Sequence, residues 1–187
     1  ETENYMFDVI KSGWWSQGKI TEQFEKNLSE YFPSNAIVVN NGTSAITAAL
    51  LAHGIKSGDK VVVPDYTFIA TCSAAKIIGA EILVADVDPN TLNVRPESIE
   101  KLVKENDVKA VMVVDMAGLP VDLESIIELS RRYKFVLIED AAQAIGSEYK
   151  NKKIGSFEHT TTFSFTVAKI ITTIEGGCIT TGNKEIL

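Results

Sequence analysis

Lys169 stands in the run Ser164-Phe165-Thr166-Val167-Ala168-Lys169, with Glu175-Gly176-Gly177 after it, Glu139-Asp140-Ala141-Ala142-Gln143 before it and Asn41-Gly42-Thr43-Ser44 further upstream. These residue types are chemically complementary. A lysine amine can form a Schiff base with an aldehyde, a carboxylate can hold a pyridine nitrogen in its protonated form, and backbone N–H groups with Thr and Ser hydroxyls can cradle a phosphate. Together they describe a site for pyridoxal 5'-phosphate. A single lysine is ordinarily a solvated surface residue, so the inference rests on the set.

Each residue also has a plainer use. Asn40-Asn41-Gly42-Thr43-Ser44-Ala45 joins an apolar run to a helical segment. The free N–H groups of that first turn, with the positive end of the helix dipole, would face an anion. Gly42, Thr43 and Ser44 are therefore candidate phosphate binders, although the same motif in isolation reads as a helix cap by Asn41, Thr43 or Ser44. It is no Walker loop, because the Gly-Lys-Ser/Thr ending is absent. Asp140 ends the apolar run Phe135-Val136-Leu137-Ile138-Glu139, where a buried charge needs a partner. A protonated pyridine nitrogen is one, and a magnesium ion or a helix N-terminus are alternatives. Gln143 would bond the cofactor's phenolic oxygen or face solvent. Phe68 would stack on one ring face with Ala142 against the other, or pack in the core. Lys169 would be the covalent attachment point and afterwards the general acid/base, both of which need a neutral amine part of the time. Its apolar neighbours Val167, Ala168, Ile170 and Ile171 would favour that form by desolvation. Ser164 is a further phosphate donor, and Glu175-Gly176-Gly177 would let the backbone turn closely past the site. Asp140 and Lys169 are thus the candidate catalytic pair.

Residues this far apart must be gathered by the fold. From Ile37 onward short β-branched apolar runs alternate with longer amphipathic segments, the pattern of βα units. Ala36–Val39, Lys60–Val63, Glu81–Ala85, Ala110–Val114 and Phe135–Glu139 read as buried strands, with Thr161–Ser164 and Cys178–Thr181 as later ones. Thr43–His53, Thr67–Ile78, Pro96–Lys104 and Asp122–Tyr133 have helical spacing. Pro96 suits a first turn, and Gly54 and Gly79 suit C-terminal stops. Ile20, Phe24, Leu28 and Tyr31/Phe32 lie on one face of an earlier helix that Thr21 would cap. The expected fold is α/β, a three-layer α/β/α sandwich on a mostly parallel sheet of about seven strands. In such sheets a ligand sits beyond the carboxyl ends of the strands. Gly42, Asp140, Ser164 and Lys169 all follow strand ends, so they converge there.

The bulk numbers agree with an enzyme domain. The chain has 187 residues, 45% hydrophobic and 23% charged, which places it among globular proteins and excludes disordered and collagen-like classes. A formal charge of -7 argues against a nucleic-acid partner, while Lys150, Lys152 and Lys153 offer a local basic cluster for an anionic substrate. Cys72 and Cys178 are too few for a disulfide framework, which fits a reducing, cytoplasmic setting. His53 and His159 lie in no spaced ligand cluster, so no metal is expected. No apolar run has the length of a membrane span. The chain opens on Glu1 and closes on Asn183-Lys184-Glu185-Ile186-Leu187, which reads as a fragment.

In order and spacing, these motifs resemble the DegT/DnrJ/EryC1/StrS family of sugar aminotransferases. The resemblance covers nearly the whole chain: Ser12-Gly13-Trp14-Trp15-Ser16-Gln17-Gly18 with Phe24-Glu25, Asn41 to Ala45, Gly58 to Pro64, Tyr66 to Thr71, Glu139 to Ala144 and Ser164 to Gly177. It implies the aspartate aminotransferase type of fold and an enzyme that uses pyridoxal 5'-phosphate to move an amino group, usually from L-glutamate, to a keto group on a nucleotide-linked sugar. By matching motif it makes Lys169 the Schiff-base lysine, Asp140 the pyridine-nitrogen partner, Gln143 a ring-oxygen contact, Phe68 the stacking aromatic, and Gly42, Thr43 and Ser164 phosphate binders. It further implies a homodimer with shared active sites, the Trp14–Gly18 loop forming part of the rim. Family members are roughly twice this length, so residues 1–187 would be the cofactor-binding large domain, with a smaller C-terminal domain missing from this chain.

The chain also departs from the family pattern. Many relatives have Gly where Ile174 stands and His where Thr166 stands, and Asp115-Met116 replaces a more usual His-Leu pair. A sugar dehydratase branch carries His in place of the lysine, and Lys169 argues against that branch. Two rivals remain: a non-catalytic dimerisation or cofactor-binding module, and a nicotinamide-binding domain, which would need a Gly-x-Gly-x-x-Gly turn that this chain lacks.

Overall fold

The protein, described here by a computed structural model over residues 2–186, is built from alternating strands and helices. In chain order they are α1 (Thr2–Ser12), α2 (Lys19–Tyr31), β1 (Asn35–Val39), α3 (Gly42–Ala52), β2 (Lys60–Pro64), α4 (Ile69–Ile77), β3 (Glu81–Ala85), α5 (Pro96–Glu105), β4 (Val108–Val114), α6 (Leu123–Tyr133), β5 (Val136–Asp140), β6 (Glu148–Tyr149), β7 (Lys152–Lys153), β8 (Thr160–Ser164) and β9 (Gly177–Thr181). A short 3-10 turn, Met116–Gly118, separates β4 from α6.

Seven strands form one sheet in the order β1-β9-β8-β5-β4-β2-β3. β2 pairs in parallel with β3 and β4, β4 with β5, and β5 with β8. β9 alone is reversed, antiparallel to both β1 and β8. The reason is its connection: no crossover helix intervenes between β8 and β9, so the chain turns back along the strand it has just left.

Side chains alternate across each strand and separate two cores. Val61, Val63, Ala110, Met112, Ile138 and Ile179 pack on α3 and α4 through Ala45, Ala49, Leu50, Ala74 and Ala75. Val62, Val111, Val113, Leu137 and Phe163 pack on α2, α5 and α6 through Leu28, Ile99, Val103, Ile126 and Leu129. Central strands covered on both faces must be apolar throughout, which is why they read as continuous hydrophobic runs. The small residues of α3 let that helix lie close to the sheet. The seven expected strands and the three-layer α/β arrangement are all present.

Several ends and elements differ from expectation. α2 starts at Lys19 after Gly18, which provides no side-chain cap; Thr21 lies inside the first turn and is not the cap. α4 starts at Ile69, with Phe68 at its N-cap position. α1 carries Tyr5, Met6, Phe7 and Ile10 exposed, so its periodicity marks no face of this core. The β6–β7 hairpin turns at Lys150 and Asn151, both left-handed (φ 50 and 63). That is a type I' turn made without glycine, and so without its usual sequence signal. Gly54 and Gly79, at φ 76 and 84, do stop their helices as expected. Among the described residues no helix is long and apolar enough to cross a membrane.

Candidate active site

A cleft of about 480 Å³ opens at the carboxyl ends of β1, β4, β5 and β8. Gly42, Thr43, Phe68, Asp140, Gln143, Ser164 and Lys169 all line it. Ser44, expected to share in phosphate binding, does not. Its N–H is taken by the Asn41 Oδ1 cap at 2.8 Å, which directs that donor back into the helix end.

The cap defines what the helix start can offer. With Ser44 N–H on Asn41 and Ala45 N–H on the Asn41 carbonyl at 3.1 Å, helix geometry leaves the N–H groups of Gly42 and Thr43 pointing outward. Across from them stands Ser164, half-buried. A Cβ on Gly42 would lie 2.8 Å from the Ser164 Cβ, and one on Gly177 would lie 2.6 Å from the Asn41 carbonyl. Only glycine permits so close an approach of α3, β8 and β9. The result is a cradle of two free N–H groups, the Thr43 and Ser164 hydroxyls and a helix dipole, suited to a phosphate.

Asp140 is buried, 6% exposed. Its Oδ2 accepts from Thr71 Oγ1 at 2.8 Å and its Oδ1 from the Ala142 N–H at 3.1 Å. Thr67 Oγ1 lies 2.8 Å from Thr71 Oγ1; since Thr71 has given its proton to Asp140, Thr67 is the donor in that pair. Burial pushes the Asp140 pKa up, against the pull of the Thr71 and Ala142 hydrogen bonds and of the nearby Lys169 charge. A carboxylate so placed is completed by a cation in the cleft, and a protonated pyridine nitrogen would be one.

Gln143 accepts the Ala117 N–H on its Oε1 at 2.9 Å. This fixes the amide orientation and leaves the NH₂ group, 4.0 Å from Met116 Sδ, free to donate into the cleft. Phe68 is 70% exposed on the cleft wall, so core packing does not account for it. Ala142 also lines the space.

Lys169 is half-buried in the turn after β8, its N–H on the Thr166 carbonyl at 3.0 Å. Thr166 Oγ1 donates to Glu175 Oε1 at 3.0 Å, and Phe165 and Gly176 close the loop at 2.8 Å. The apolar surroundings expected for the amine are not there: Val167, Ile170 and Ile171 stand exposed. They project away because the loop is a chain of tight turns rather than a helix. The basic cluster is also otherwise engaged. Lys150 pairs with Glu124, Lys152 lies 4.4 Å from the Phe157 ring centroid and Lys153 3.7 Å from that of Tyr31; none lines the cleft.

Two residues were not anticipated in any role: Thr67, which lines the cleft, and Thr71, buried behind it against Asp140. Thr67 and Thr71 are four apart at a helix start, a spacing that puts both hydroxyls on one face. Nothing in the sequence says that this face meets Asp140. Glu175 was expected only as part of a close turn; its side-chain bond to Thr166 came from the loop closure.

A parallel-centred sheet, a glycine cradle at the first βα turn, a buried acid and a lysine after the penultimate strand define a domain of the aspartate aminotransferase type. The chain belongs to the DegT/DnrJ/EryC1/StrS aminotransferase family, whose model matches residues 1–187. It is 40% identical over 185 residues to the GDP-perosamine synthase of Caulobacter vibrioides, covering 98% of this chain and 50% of that protein. Among solved structures, an aminotransferase from Psychrobacter cryohalolentis superposes with a TM-score of 0.92 at 37% identity, over 98% of this chain and 47% of its own. The Escherichia coli GDP-4-keto-6-deoxy-D-mannose-3-dehydratase with bound hydrated PLP does so at 0.89 and 28% identity, over 98% and 49%. The chain spans about half the length of the curated relatives it matches.

Proposed function

We propose that this chain is the cofactor-binding large domain of a pyridoxal 5'-phosphate-dependent aminotransferase. It transfers an amino group, with L-glutamate as the donor, to a keto group of a nucleotide-linked sugar, in cytoplasmic synthesis of an amino sugar for a surface polysaccharide or glycosylated product. The observation that carries this reading is the convergence of Lys169, the buried Asp140 and the Gly42–Thr43–Ser164 cradle on one cleft.

When bound, the cofactor supplies an aldehyde for amine exchange and an electron-accepting ring. Everything else falls to the protein. Gly42, Thr43 and Ser164 anchor the phosphate, Phe68 and Ala142 hold the ring plane, and Gln143 donates to the ring oxygen. Asp140, steadied by Thr71 and Ala142, keeps the pyridine nitrogen protonated. Lys169 would be the residue that holds the cofactor, and its Nζ would carry a proton as general acid and base. Lysine at this position, where the dehydratase branch has histidine, favours amination over dehydration.

Trp14, Trp15, Phe68, Ile69, Val167 and Ile170 all stand exposed, and apolar surface left in water is the kind that a protein partner covers. It supports a homodimer in which each subunit closes the other's cleft. A purely cofactor-binding module, completed only by further chain, is the second reading, supported by the half-length match to the relatives.

The deciding experiment adds pyridoxal 5'-phosphate, fixes the linkage with borohydride and locates the label by peptide mass. The label is expected on Lys169 and absent in Lys169→Ala. A label elsewhere, or one that persists in the variant, refutes the assignment. Transamination of keto-sugar nucleotides with L-glutamate, measured on the longest natural form, separates the catalytic reading from the module.

A further inference from the structure

Behind Asp140, on the opposite face of the sheet, two more acids are buried together. Asp115 follows the last residue of β4, its N–H on the Asp140 carbonyl at 3.2 Å. Glu139 lies in β5 opposite Val113 of β4. Both are fully buried. Asp115 Oδ1 accepts the Val121 N–H at 3.0 Å. Glu139 Oε2 accepts from Thr161 Oγ1 at 2.9 Å and meets His159 Nε2 at 3.1 Å. The two remaining oxygens, Asp115 Oδ2 and Glu139 Oε1, have no donor, and the β4–β5 register places Asp115, two residues beyond Val113, and Glu139 as diagonal neighbours on one face of the sheet. A buried carboxyl oxygen without a donor is costly. Two ionised acids cannot supply one another, whereas one proton between them satisfies both orphaned atoms at once.

We propose that Asp115 and Glu139 share a single proton at neutral pH, and that this proton locks the turn that orients Gln143. Asp115 is the protonated partner, because Glu139 already has Thr161 and His159 to stabilise its charge. The neutral Asp115 carboxyl donates through Oδ2 to Glu139 and accepts Val121 N–H on Oδ1, closing the 115–121 segment. That segment includes Ala117, whose N–H holds Gln143 Oε1, and Met116, whose N–H is held by Asn93 Oδ1 at 3.1 Å. Loss of the proton would place two negative charges in contact beneath the turn and beside Asp140. The groups facing the pair are Glu139 and Asp140 from β5, His159 ahead of β8 and neutral Thr161 on it. Lys169 acts from the far side through Asp140, and Asp122, at the α6 N-terminus, is engaged by Ser125 and Tyr149. Asp115 and Glu139 are positioning residues in this scheme, and their link to the cofactor rests on the proposed role of Gln143.

Burial and the Glu139 charge together raise the Asp115 pKa to about 9, against about 4 in an unfolded chain. The stability this group contributes is therefore complete below about pH 4 and lost as pH rises through about 9. The folded chain retains a proton that the unfolded chain has released.

Three measurements on the chain test this, two of them without cofactor. Infrared difference spectra at neutral pH should show a buried, protonated carboxyl that Asp115→Asn abolishes. Refolding of Asp115→Asn at neutral pH should take up about one proton fewer than the parent chain. The asparagine keeps both hydrogen bonds without a titrating proton, so it should flatten the alkaline loss of stability. Glu139→Gln, which donates to an ionised Asp115, should also remove the protonated carboxyl, and provides the same reading if the first variant fails to fold. In the third measurement, pyridoxal 5'-phosphate affinity should fall at least about tenfold from neutral pH to beyond pH 9 in the parent and stay level over the same change in Asp115→Asn. Equal proton uptake in parent and variant, or no protonated carboxyl, overturns the shared proton; a parallel alkaline fall in both chains overturns the link to Gln143. Failure of all forms to bind the cofactor would refute the site reading instead, while the proton count still decides the pair.

Discussion

Thr71 is where the chemistry of Asp140 is decided. Its hydroxyl is one of two donors to a carboxylate that burial alone would drive toward the neutral acid, and Thr67, just ahead of α4, backs it. Thr71→Val preserves shape and removes the donor. It should cost about 1–2 kcal/mol in urea unfolding and weaken pyridoxal 5'-phosphate binding measured by absorbance titration, with Asp140 more readily protonated than before. Unchanged binding would show that Ala142 N–H alone suffices. Residue identities told much of the site's content. Lys169, Asp140 and Gly42-Thr43 carry chemistry that only a few residue types can perform. Thr71 was silent because a threonine in a helix has many ordinary uses, and only its 2.8 Å contact with a residue 69 positions away gives it a role.

Among the elements, the loop between β8 and β9 carries visible strain. Ile174 sits at φ 72 and is 65% exposed. A β-branched residue in the left-handed region is costly, and exposure means that little packing offsets it. Ile174→Gly should raise stability by on the order of 1 kcal/mol in thermal or urea unfolding, the relief of strain exceeding the entropy cost of glycine. A loss of stability would mean that Ile174 makes contacts which outweigh its backbone. Strands and helices were legible because apolar spacing reports burial directly: Val61, Val62 and Val63 announce a strand covered on both faces. The β6–β7 turn was not, since Lys150-Asn151 replaces the glycine that would mark it. α1 has no buried face in this chain to generate a periodic signal.

For the molecule as a whole, large apolar side chains stand in water on several elements, among them Phe68 on the cleft wall and Ile69 next to it. Trp15 is 77% exposed and Ile69 68%, and a water-facing surface of this kind needs a partner. The protein should therefore show about twice the mass of one chain in sedimentation equilibrium, and Ile69→Asp should weaken self-association by about tenfold or more. A parent chain that stays monomeric at all concentrations would refute the dimer. What the sequence alone determined is local and chemical: which residues can hold an aldehyde, a phosphate and a cation, and which segments form strands and helices. These follow from side-chain chemistry and from burial periodicity, both written into short stretches of chain. The tertiary structure decided which groups meet. It set Thr71 against Asp140, turned Ser44 back onto Asn41, left Val167 and Ile170 in solvent, and buried Asp115 against Glu139 with two oxygens short of a donor. Thr71 with Asp140 and Asp115 with Glu139 are tens of positions apart in the chain, and sheet order and register bring them together, which no stretch of sequence specifies by itself.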